Sequence, residues 1–153
     1  MPDTQAFRAA NGPSVTTNSA YILSVSNQAN LRTPDAGEFE FRLQASEAFE
    51  TKTGVIVATA NVTGGTLSVN FGAKTFRTTL NIELADQTVA LLSKGRLFSG
   101  GFFEGDFAYS TPGINMNVRG QFGGTLANQA AYLFDAPLTG AGRGLVGAAS
   151  WGR

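Results

Sequence analysis

From Thr75 to Leu84 the chain alternates with period two. Phe76, Thr78, Leu80, Ile82 and Leu84 fall on one side, and Thr75, Arg77, Thr79, Asn81 and Glu83 on the other. Successive side chains of a strand point to opposite faces, so this run predicts a strand with one buried and one wet face. A helix over the same residues would have no apolar stripe and would hold Thr78 and Thr79 in its middle, where they are unfavourable.

The rhythm recurs along the chain. Leu67, Val69 and Phe71 alternate with Thr66, Ser68 and Asn70, and Gly72-Ala73-Lys74 makes a short hairpin connection to Thr75. Phe39, Phe41 and Leu43 alternate with Glu38, Glu40 and Arg42, residues 55–62 are rich in β-branched side chains, and residues 21–25 read as a first strand. Further runs cover 88–98, 102–109, 114–122, 130–136 and 145–151, with turns at Ser99-Gly100-Gly101 and Pro112-Gly113. In 102–109, Phe103, Phe107 and Tyr109 oppose Glu104, Asp106 and Ala108. Residues 44–52 are the one stretch where one or two helical turns compete with a loop. Residues 1–17 are polar and small and predict a flexible or loosely docked lead-in, leaving 18–153 as a single domain. Short sequential connections without a βαβ rhythm predict an all-β fold, an antiparallel up-and-down barrel of about eight strands with at most one short helix.

Composition narrows the function. The 153 residues carry 11 Lys+Arg against 11 Asp+Glu, and only 14% of them are charged, so no basic field recruits nucleic acid. There is no Cys and no His, which removes thiolate chemistry, the commonest metal ligand and the commonest general base. No run approaches the ~18–20 apolar residues of a membrane helix. An outer-membrane barrel also alternates. Strands mostly shorter than about 9–11 residues, and wet faces mixing Arg, Glu and Asn without aromatic girdles, favour a water-soluble barrel. The start, Met1 to Gln5, shows no basic segment followed by an apolar one, so a leader or preceding domain is expected to lie outside this chain.

Candidate chemistry is thin, and no catalytic, cofactor-binding or metal-ligating residue is assigned. Glu104 and Asp106 share a strand face, as do Glu38 and Glu40 with Arg42 beside them, and both pairs read as solvated faces. Lys74, in a turn, is a poor activating base for a nucleophile. Met116 sits on the apolar alternation and reads as core filling. Gly140 to Gly144 contain a G-x-G-x-G run with no helix behind it, so it reads as a loop in which Arg143 is a weak anion-binding candidate.

The stretch Gly120-Gln121-Phe122-Gly123-Gly124-Thr125-Leu126-Ala127-Asn128-Gln129-Ala130-Ala131-Tyr132-Leu133-Phe134 carries a family resemblance. It resembles the last-barrel segment of the transferrin-binding protein B family of bacterial lipoproteins, whose pattern runs roughly Gly-x-Phe-x-Gly-Pro-Asn-Ala-Glu-Glu-x-Gly-Gly-x-Phe. Gly120, Phe122, Gly124, Ala127 and Phe134 fall in register, whereas Thr125-Leu126 replaces Pro-Asn and Ala131-Tyr132 replaces Gly-Gly. The segment also resembles a barrel at the C-terminus of some FecR-like proteobacterial proteins. The match covers about fifteen residues, and the strand rhythm extends it over 66–151. The resemblance implies a non-enzymatic exported domain, periplasmic or at the cell surface, that binds a protein partner in an iron-acquisition setting. Loops at a barrel end would make the contacts, in residues 27–37, 99–101 and 139–144, with Arg32, Asp35 and Arg143 as candidate partner-binding residues. The alternative is a lipocalin-like carrier with a small hydrophobic molecule in the lumen.

Overall fold

The period-two runs become strands. The computed structural model describes residues 5–8, 14–17, 22–25, 31–106 and 113–153, with side chains for 31–105 and 113–153. The strands are β1 (Gln5–Arg8), β2 (Ser14–Thr17), β3 (Ile22–Val25), β4 (Glu38–Lys52), β5 (Val55–Asn70), β6 (Thr75–Glu83), β7 (Thr88–Leu97), β8 (Phe102–Asp106), β9 (Ile114–Asn115), β10 (Asn117–Gly123), β11 (Gln129–Pro137) and β12 (Arg143–Gly152). Eight of them form a closed antiparallel barrel in which each pairs with its neighbours in sequence, β4-β5-β6-β7-β8-β10-β11-β12. The β12–β4 ladder, from Arg143↔Lys52 to Gly152↔Arg42, closes the ring. The two-residue β9 lies parallel to β7. β1, β2 and β3 make a small separate sheet whose β3 packs against β10 and β11. Gln121 and Leu133 lie on those two strands and are buried although their immediate neighbours Gly120, Phe122, Tyr132 and Phe134 fill the opposite, inner face.

Three expectations need correction. Residues 44–52 are neither helix nor loop but the second half of β4, paired to β12. Its Ala, Glu and Lys are good helix formers, but propensity is worth only tenths of a kcal/mol per residue, and the otherwise exposed edge of β12 demands a partner. The single described helical turn is a 3-10 turn at Thr125–Ala127. Residues 55–62 and 67–71 are not two strands. β5 runs 16 residues through Gly64 and Gly65, with a bulge between Val62 and Gly64. β4, at 15 residues, is equally long, so strand length does not argue against a membrane barrel. Polarity does. The apolar rows face the lumen and the outward row of β6 is Thr75, Arg77, Thr79, Asn81 and Glu83, the reverse of a lipid-facing wall. No helix among the described residues is long and apolar enough to cross a membrane. Phe107, Tyr109, Pro112 and residues 27–30 lie outside the described residues.

Aromatic rings fill the lumen. Phe39, Phe71, Phe122, Phe103 and Phe76 make a continuous series of ring contacts, and Tyr132, Phe134 and Trp151 extend it, with centroids 4.8 to 6.3 Å apart. Met116 is core, as its place in the alternation predicts. Small residues make room for the large ones. Gly120 pairs with Phe103, the far end of whose ring occupies the space a Cβ would need. Gly147 serves Phe134 in the same way. A ring covering a bare cross-strand glycine restores the buried contact that the glycine lacks.

Polar contacts at Thr78 cross this interior. Thr78 Oγ1 donates to the Thr66 carbonyl at 2.7 Å, and the Tyr132 hydroxyl hydrogen-bonds to Thr78 Oγ1 at 2.9 Å. Burial pushes the Tyr132 phenol well above its ordinary value of 10.0.

Two outcomes follow. Gly120→Val drives a branched side chain into the Phe103 ring and is expected to lower stability by roughly 1–3 kcal/mol, read from urea denaturation midpoints. The phenol of Tyr132 ionises more readily in the unfolded chain than in the barrel, so its contribution is complete below pH 10.0 and declines as pH rises beyond it. The thermal midpoint should fall steeply above that pH, and Tyr132→Phe should flatten the fall while costing about 1 kcal/mol near neutrality.

Candidate functional site

An up-and-down barrel delivers its turns to two ends. At the upper end lie residues 31–37 ahead of β4, 71–74 between β5 and β6, 98–101 between β7 and β8, and 124–128 between β10 and β11. At the lower end lie 53–54, 84–87 and 138–142. The upper end holds a cavity of about 310 Å³ floored by Phe71, Leu97 and Phe122, walled by Leu31, Pro34 and Phe98, and edged by Asp35 and Lys74. That is the small end of the range for ligand pockets, room for one or two side chains of a partner rather than a large ligand.

Backbone hydrogen bonds fix the rim. The Phe71 amide donates to the Gly37 carbonyl at 3.0 Å, tying 31–37 to β5. The Leu97 amide donates to Lys74 O at 2.9 Å, and Ala73 N–H donates to Asn70 Oδ1 at 2.8 Å, shaping the β5–β6 turn. In the 98–101 turn, Phe98 N–H donates to Phe102 O at 2.7 Å, and Gly101 O accepts from the Phe122 amide at 2.8 Å. Gly100 and Gly101 adopt φ of 84° and 80°, a left-handed conformation that a side chain would strain. The cavity therefore sits on a rigid scaffold while its loops carry the side chains.

The structure divides the three sequence-predicted contact residues. Arg32 and Asp35 are exposed at the upper end, in the loop that walls the cavity. The described part of 27–37 and the 99–101 turn, two of the three expected contact loops, meet there. Arg143 is at the lower end. Its Nε and Nη2 donate to Glu50 Oε1 at 2.9 and 2.6 Å, and Nη1 and Nη2 reach Asp86 at 3.2 and 3.3 Å. The bonds to Glu50 first, then to Asp86, raise the Arg143 pKa above its ordinary value and keep it charged. These pairs link β4, the β6–β7 turn and β12 across the lower mouth, so the guanidinium is engaged within the chain.

The acidic pairs are accounted for. Glu38 accepts from Ser68 Oγ at 2.8 Å and pairs with Arg77 at 3.4 Å, rather than with Arg42. Glu104 is exposed, and the Asp106 side chain lies outside the described residues. No cluster of three or more His, Cys, Asp or Glu is placed to hold a metal among the described residues.

Two features escaped the sequence reading. Phe98 is 51% exposed beside the cavity, and its signal was the break in alternation at Leu97-Phe98 just before the turn. Arg153 lies over the Phe39 ring at 4.4 Å, donates from Nη2 to Leu126 O at 2.5 Å, and its amide donates to Asn128 O at 2.9 Å. No local pattern announces that role for a terminal residue.

No protein-family model matches this sequence, and no curated protein matches it. Solved structures do. One is a double mutant of the vaccine antigen transferrin binding protein B from Haemophilus parasuis Hp5, with TM-score 0.54 and 12% identity over 98% of this chain and 36% of that one. A single mutant of the same antigen gives TM-score 0.50 at 15% identity over 97% and 36%. Intact Ap-TbpB, with N and C lobes, gives 0.54 at 14% over 98% and 37%. The chain spans just over a third of the length of these proteins. At such identities the likeness shows a shared barrel fold, the one the 120–134 stretch implies.

Arg143→Ala is expected to lower the thermal midpoint, because it strands the mostly buried Glu50 carboxylate. Asp86→Ala removes a partner that is 58% exposed and should lower it less. Differential scanning fluorimetry at low and high salt compares the two.

Proposed function

We propose that this chain is a non-enzymatic, protein-binding β-barrel module that takes its partner at the upper end, in a bacterial periplasmic or cell-surface setting tied to iron acquisition. The observation that carries the reading is the cavity itself: a ring-floored hollow beside a half-exposed Phe98, edged by one acidic and one basic side chain. An aromatic anchor next to an apolar pocket with a polar rim is the arrangement of an interaction hot spot. Arg32 and Asp35 supply charged contacts around it, and Arg143 braces the far end. The shared barrel with transferrin binding protein B, a binding protein by name, supports the same reading and suggests transferrin as the first partner to test. The carrier alternative finds less support, because the rings already pack through the lumen.

Binding of iron-loaded transferrin, followed by biolayer interferometry, tests this. The native chain is expected to bind, and Phe98→Asp and Lys74→Glu are each expected to weaken binding by roughly tenfold or more with unchanged circular dichroism. Failure of the native chain to bind removes the transferrin assignment. Binding that survives Phe98→Asp removes the assignment of this end. Saturable uptake of a hydrophobic dye at one site per chain favours the carrier.

A further inference from the structure

A closed barrel has no free edge, yet this one keeps a short one. The β5–β6 ladder stops at Asn61↔Glu83, while β5 continues to Val55. Over Val55 to Ala60, β4 occupies one side of the strand, and among the described residues no strand occupies the other. Residues 55–59 are all exposed, with Val55 at 55%, Ile56 at 41% and Val57 at 57%. Free edges are normally blunted by charge, proline or a bulge, and of these the edge carries only a bulge, at Val57 opposite Glu50 and Thr51. Here no charged residue and no Pro occurs between Lys52 and Lys74.

We propose that this edge joins two copies of the chain, β5 to β5, in antiparallel array about a two-fold axis. The ladder to β4 steps from Glu50↔Ala58 to Thr51↔Ile56 and leaves Val57 as a bulge, so pairing centred on Ala58 sets Ala58 against its own copy, Ile56 against Thr59 and Val55 against Ala60. No like charges meet, and the β-branched side chains find cross-strand partners. The charges beside the edge are complementary. The same operation brings the hairpin tip of one copy, with exposed Lys52, towards Asn61 of the other, whose cross-strand neighbour is exposed Glu83. Among the described residues neither Lys52 nor Glu83 makes an ion pair within its own chain. The two-fold therefore forms the Lys52–Glu83 encounter twice, once at each end of the strand pair. The edge lies at the lower end, so self-association leaves both upper cavities open, and the proposal stands apart from the assignment of the upper end.

Sedimentation velocity of the full chain from about 1 µM to about 1 mM, the range of a weak self-contact, tests it. The native chain should pass from monomer to dimer as concentration rises. Val57→Lys, at an exposed position in the centre of the edge, should remain monomeric throughout with native circular dichroism. Lys52→Glu should raise the dimer Kd by about tenfold, and adding Glu83→Lys to it should restore the native value. These exchanges at exposed sites carry the test if Val57→Lys does not fold. A native chain that stays monomeric to about 1 mM overturns the proposal, as does a dimer indifferent to Val57→Lys or to the charge exchange.

Discussion

The β12–β4 ladder holds the rest of the molecule in place. It joins the last barrel strand to the first over almost their whole length, and through it a meander of neighbouring hairpins becomes a cylinder. Without it, β4 and β12 would be two long edges, and Trp151, Leu145 and Phe41 would lose the far wall of their core. With it, Phe41, Phe71, Phe76, Phe103, Phe122 and Phe134 have a lumen to occupy, and every described turn is assigned to one end or the other.

Closure also sets conditions on residue size. Large rings from β8, β11 and β12 can share one lumen only if facing positions are bare, and Gly120 and Gly147 provide this by lying beneath Phe103 and Phe134. The interior is then dense enough that the Tyr132–Thr78 contact is shielded from water, which raises the phenol above its ordinary titration. The two ends differ because their loops differ. Ion pairs knit Arg143, Glu50 and Asp86 together at the lower end, while at the upper end backbone bonds fix the loops and leave side chains around a hollow.

The places where the sequence misled share a cause. In β4 the inward residues are Phe39, Phe41 and Leu43 and then, past an irregularity opposite Ser150 and Trp151, Ala48 and Glu50. One extra residue shifts the odd positions to the even, so a reader following period two loses the strand at residue 44 and meets helix-forming Ala and Glu. In β5 the bulge at Gly64 has the same effect, and two glycines that look like a turn are instead where the strand bends. Of the site, loops 31–37 and 99–101 were visible as loops, but that they share a hollow with Lys74, while Arg143 faces the other way, depends on how many strands lie between them.

Local pattern alone determined the class of fold, its antiparallel meander, the core row of β6 and that of Phe39, Phe41 and Leu43 in β4, and the absence of His and Cys from the chain, because each of these is a property of neighbouring side chains or of composition. Tertiary structure decided that β4 continues through 44–52, that Arg143 is held by Glu50 and Asp86, that Phe98 stands at the edge of a cavity, and that among the described residues no strand pairs with one flank of β5. Each depends on groups tens of residues apart brought together by ring closure, and alternation between adjacent residues holds no information about which distant strand will lie alongside.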